Sequence, residues 1–138
     1  MKTASEDIKS ILNGHSFTVD GETITFTYGT NLYIAKEPQR PADTITIFDA
    51  PGGGIPFQMD ETEQHEIGSV QIRIRNTDYI KAMAMAYEIV SVLNGRGNEA
   101  IESTYYMYIK CSMGPALLDY DNNNRPRIFI NFELKRRF

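Results

Sequence analysis

Gly68-Ser69-Val70-Gln71-Ile72-Arg73-Ile74-Arg75, followed by Asn76-Thr77-Asp78 and a run ending at Leu93-Asn94-Gly95, decides the fold. Val70, Ile72 and Ile74 point one way. Gln71, Arg73 and Arg75 point the other, which is the pattern of a half-buried strand. After Asp78 the period changes. Tyr79, Ala82, Met83, Ala86, Tyr87, Val90 and Leu93 recur at three- and four-residue steps, one stripe of a helix. Asn76, Thr77 and Asp78 can each cap its start, and Gly95 suits its end. A strand feeding this helix is the unit on which the rest of the chain packs.

Working outward toward the N-terminus, Thr44 to Asp49 reads as a strand, with Ile45, Ile47 and Phe48 among threonines. Ser5 to Asn13 reads as a short helix. Thr3 and Glu6 have capping-box spacing, Ile8, Ile11 and Leu12 share a face, and Gly14 stops it. His15 to Thr27 reads as a hairpin turning at Asp20-Gly21, and Asn31 to Ala35 as a short strand. Glu37-Pro38-Gln39-Arg40-Pro41 interrupts that strand, because each proline removes a backbone donor.

Toward the C-terminus, Thr104 to Met113 reads as a strand and Asp119 to Asn124 as a turn. Arg127 to Leu134 is the last strand, with Ile128, Ile130, Phe132 and Leu134 on one face. The expectation is one α+β domain over residues 1–138. A mostly antiparallel sheet carries one long helix and a short N-terminal helix on one face. A long flexible loop is expected over about residues 50–67, where glycine, proline and acids replace any periodic pattern.

At 138 residues, 41% hydrophobic and 23% charged, the chain has the composition of a globular domain. No apolar run approaches the length that crosses a bilayer, and the first residues lack a signal peptide's apolar core. A cytosolic, soluble protein is expected, with no membrane partner. The net charge of −4 argues against a phosphate-backbone binder.

No chemical signature stands out. Gly52-Gly53-Gly54 runs into Ile55-Pro56 and acids, not into a helix start with Lys-Ser or Lys-Thr. A flexible or partner-ordered loop is the favoured reading over a phosphate site. Asp119-x-Asp121-x-Asn123 lacks the glycine and glutamate that complete a calcium loop. His15 and His65 are the two histidines, and Cys111 has no Cys or His near it in sequence. A buried cysteine and two surface histidines are expected rather than a metal site. No catalytic residue, cofactor or metal is assigned. Ala82, Met83, Ala84, Met85 and Ala86 let the helix approach the sheet closely. An alternative is that Met85, off the main stripe, marks apolar surface for a neighbouring subunit.

Four stretches, taken in order, carry a resemblance. They are Glu37 to Pro41 leading into Ile45 to Gly53; Ser69 to Arg75; Gly114 to Asp121; and Arg125 to Phe132. Together they resemble the minor capsid and tail-completion proteins of tailed bacteriophages, the group that includes tail terminators. The resemblance implies a small structural subunit of the virion, made in the bacterial host cytoplasm. It implies a ring, usually a hexamer, that ends the tail tube and faces the head-side connector, with DNA passing through the lumen. A head-to-tail ring needs two different patches per subunit. Arg73 and Arg75 are the expected basic patch. Gly52, Gly53 and Gly54 with Asp60, Glu61 and Glu63 are the expected loop patch. Two alternatives stay open: an adaptor or stopper ring of the same connector, and a small enzyme acting through Cys111.

Overall fold

A computed structural model describes residues 2–55 and 65–137. Its elements are α1 (Ala4–Leu12), β1 (Ser16–Val19), β2 (Glu22–Thr25), β3 (Leu32–Ile34), β4 (Thr44–Gly54) and β5 (His65–Arg75). Then come α2 (Tyr79–Leu93), β6 (Glu99–Ile101), β7 (Thr104–Tyr120) and β8 (Pro126–Arg137). β1 and β2 form a separate hairpin. The others form one sheet in the order β3-β4-β5-β8-β7-β6, antiparallel except for β3 against β4. The α+β class and the mostly antiparallel sheet follow from this.

The alternation in β5 sets the core. Ile72 stands between Ile47 of β4 and Ile130 of β8, and Ile74 between Ile45 and Ile128. These rows are fully buried on one face of the sheet. Ile8 and Leu12 of α1, Phe26 after the hairpin, and Ala82, Met85, Ala86, Ile89 and Leu93 of α2 close over them in the same cluster. β-branched side chains at every second position fit a pleated surface, so propensity and burial agree along these strands.

The local signals that act over a few residues hold. Thr3 and Glu6 cap α1 reciprocally. Asp20 and Gly21 have φ of 50° and 79° in the hairpin turn. Asp78 accepts from the Ile80 N–H at the start of α2. α1 is further fixed by buried polar contacts. The Tyr106 hydroxyl donates to Asp7 at 2.6 Å, and burial raises both groups' pKa above their ordinary values.

Three expectations are corrected. The glycine run is not loop: β4 continues through Gly54 and β5 begins at His65, with a register shift between Ala50 and Gly54. The last strand but one is also longer. β7 continues through Pro115 and Leu118 to Tyr120, interrupted by register shifts rather than ended by the proline. The buried stripe of α2 is rotated. Tyr79 and Tyr87 are 42% and 60% exposed, whereas Met85 is buried, so Met85 is core and not surface for a neighbour. With only Lys81 and Glu88 charged in fifteen residues, α2 carries two overlapping apolar stripes, and periodicity alone does not choose between them.

Candidate subunit interface

The two arginines of β5 share a face but not a fate. Arg73, half-buried, donates from Nε to Gln71 Oε1 at 2.7 Å, and its guanidinium lies 4.7 Å from the centre of the Phe48 ring. Gln71 in turn donates to Asn131 of β8 at 3.0 Å. The η nitrogens of Arg73 make no hydrogen bond among the described residues. This is a guanidinium held in place by its neighbours, with its fork unused among the described residues.

Arg75 is 3% exposed and committed inside the subunit. It donates to Glu37 Oε1 at 2.6 Å and to the carbonyls of Pro38, Pro41 and Ala42 at 2.5, 2.9 and 3.0 Å. Asp121 lies 3.7 Å away. The guanidinium staples the proline-rich strap of residues 37–42 to the sheet, so it offers nothing to a neighbouring molecule. Arg127 also reaches Glu37, at 3.1 Å, and Arg125 pairs with Asp121 at 2.6 Å.

Asp121 closes the β7–β8 turn instead of starting a calcium loop. Its Oδ1 accepts the N–H groups of Asn123 and Arg125 at 2.9 and 2.8 Å. Burial pushes its carboxyl up, but the bonds from Arg125 and Asn123 outweigh that and hold it below the usual carboxylate range. A group with a depressed folded-state pKa contributes stability above its unfolded pKa and loses it as pH falls through the folded one. In urea titrations, the gap between wild type and Asp121→Asn is therefore constant above about pH 5 and narrows below about pH 4. A gap that holds at pH 3 would mean that Asp121 acts through shape and not charge.

Gly52, Gly53 and Gly54 form the exposed end of β4. A Cβ at Gly52 would fall 2.6 Å from the Ile67 carbonyl oxygen, so the two backbones meet closely here. Asp60, Glu61 and Glu63 lie outside the described residues. Cys111 is half-buried rather than buried, with its thiol 3.7 and 3.6 Å from the carbonyls of Met113 and Gly114. His15 is half-buried and paired with Glu88 at 2.8 Å, and His65 is half-buried on β5. Among the described residues no group of three or more His, Cys, Asp or Glu could hold a metal ion.

The comparisons with known proteins agree with a structural role. A chain in the virion of a native gene transfer agent (GTA) particle has the same fold. Its TM-score is 0.58 at 16% identity, covering 80% of this chain and 81% of that one. No curated protein matches the sequence. The model of the bacteriophage tail terminator protein family matches residues 11–137. The class is therefore the structural proteins of phage virions. Within that class, the chain belongs to the bacteriophage tail terminator family.

Proposed function

We propose that the chain forms a hexameric ring that ends the tail tube and joins it to the head-side connector. The family match over residues 11–137 carries this reading. In the ring, DNA passes through the lumen without specific binding. The net charge of −4 suits that passage, because a wall that held phosphates tightly would retard the strand. Arg73, whose η nitrogens make no hydrogen bond among the described residues, meets the acidic stretch of the next subunit, Asp60, Glu61 and Glu63, beside the glycine end of β4. Arg75 has no part in that contact.

The test is solution mass across a concentration series, together with capping of tail tubes. A mass of about six subunits and arrest of tube growth are expected, whereas a monomer that leaves tubes growing would reject the ring. Retention on portal protein but not on tube protein would favour an adaptor or stopper ring instead. Arg73→Glu places like charges together and is expected to weaken assembly about tenfold or more with the fold intact. Unchanged assembly of that variant would discard Arg73 as a contact.

A further inference from the structure

Nine large apolar side chains are exposed among the described residues, and seven of them gather on two adjoining elements. Tyr79, Ile80 and Tyr87 stand on the outer side of α2. Met113, Leu117, Leu118 and Tyr120 stand on the second half of β7. Leu117 and Tyr120 lie opposite Ile128 and Pro126 on the face that α2 covers, and Met113 lies opposite Asn131 on the other face, so the exposed residues wrap the strand's edge. The two elements meet at Pro126. Tyr120 pairs with it across the sheet, and its carbonyl accepts the Asn76 N–H just before α2.

We infer that this margin is a contact between copies of the chain, the apolar side of the subunit interface. Three observations carry the inference. The outer side of α2 presents no free charge, because Lys81 pairs with Glu22 at 2.9 Å and Glu88 with His15 at 2.8 Å, both on the hairpin side. A helix whose outer side is as apolar as its inner side is one that is covered on both.

The outer edge of β7 is also open where the apolar residues begin. β6 covers it only over Thr104–Tyr106, Arg96 bridges Ile109, and the Asn94 side chain accepts the Cys111 N–H. Past Cys111 no described strand pairs with that edge. Open apolar edges are left only where something covers them. The opposite margin of the sheet is blunted. The outward groups of Leu32 are taken up by its own turn, through Gly29 N–H and Thr27 carbonyl, and Pro51 has no N–H to give.

The third observation is size. The seven side chains expose on the order of 700 Å² per subunit, close to the roughly 800 Å² per partner of a stable protein interface. Apolar surface of that extent, in which the charge of Asp119 between Leu118 and Tyr120 is met by Arg127 at 3.2 Å, fits a permanent contact with another copy better than a transient partner.

The inference deepens the ring reading, which supplies the reason for copies to meet, and one experiment separates the two. Wild type, Tyr87→Lys, Met113→Lys and the control Tyr28→Lys are compared by light scattering after size exclusion and by thermal melting. A photoreactive phenylalanine derivative at position 87 is irradiated in the assembled wild type. Expected are self-association of wild type and of the control, a loss of affinity of about tenfold or more in the other two, unchanged melting, and a cross-link joining two copies.

If a lysine variant melts early, the cross-link decides. Assembly of both lysine variants like wild type, a monomer at every concentration, or no cross-link between copies would overturn the contact. A six-subunit mass untouched by the variants would sink the contact and leave the ring standing. A two-subunit mass lost in the variants would sink the ring and leave the contact standing.

Discussion

The Arg75→Met variant is expected to lose about 3 kcal/mol of unfolding free energy, read as a lower urea midpoint at unchanged slope. Methionine matches the length of the stem and removes the fork. Five donated bonds disappear, leaving the carbonyls of Pro38, Gln39, Pro41 and Ala42 and the Glu37 carboxylate short of a donor in a site only 3% exposed. The expected cost sits at the lower end for a broken buried pair. Arg127 still reaches Glu37, and Arg125 still reaches Asp121. Arg75→Lys keeps the charge but not the planar fork, and should recover less than half of the loss. The strap should also come away from the sheet. Trypsin is then expected to cut after Lys36 faster in the methionine variant than in wild type. A midpoint within experimental error of wild type would show that the strap is held by its prolines and not by Arg75.

Arg75 marks the limit of what alternation can say. The pattern Val70-Gln71-Ile72-Arg73-Ile74-Arg75 places Arg73 and Arg75 on the face opposite the isoleucines, and that is where they are. Nothing in the pattern separates a half-buried arginine from a fully buried one. The difference comes from Glu37 to Ala42, more than thirty residues earlier, folding back over one of them. Long-range closure leaves no local trace.

The same division runs through the fold. Elements fixed by a few neighbouring residues were legible: the capping box at Thr3, the Asp20-Gly21 turn, and the isoleucine rows of β5 and β8. Elements fixed by distant pairing were not. Gly52 to Gly54 has the composition of a loop but is held as strand by Ile67 to Ser69 opposite it. Pro115 would end an isolated strand, yet Phe129 and Ile128 of β8 keep Ala116 and Leu117 in the ladder. The exposed side of α2 was hidden for another reason. Its outer residues are as apolar as its inner ones, so the signal that normally marks a surface was missing. That missing signal is itself informative, because it is what an interface residue looks like before its partner arrives.

Gly114→Ala is the second large effect expected, about 3 kcal/mol of lost stability. Gly114 has φ of +88°, a conformation in which an L side chain costs roughly 1–2 kcal/mol. An alanine Cβ would also stand 2.5 Å from the Phe129 carbonyl oxygen and 3.3 Å from Ile130 Cα. Both are backbone atoms of β8, so no side chain can swing away and the strands themselves must part. Gly54→Ala isolates the first cost from the second. Gly54 has φ of +83°, but among the described residues a Cβ there meets nothing within 4 Å, so about 1 kcal/mol is expected. The difference between the two variants measures the clash alone. Hydrogen exchange should locate it, with faster exchange in the Gly114 variant where Ala116 and Leu117 face Phe129 and Ile128. Equal losses in the two variants would mean that β7 and β8 separate there at little cost. In that case the strand edge beginning at Met113 would be soft in the free subunit, and a neighbouring copy would have to order it as well as cover it.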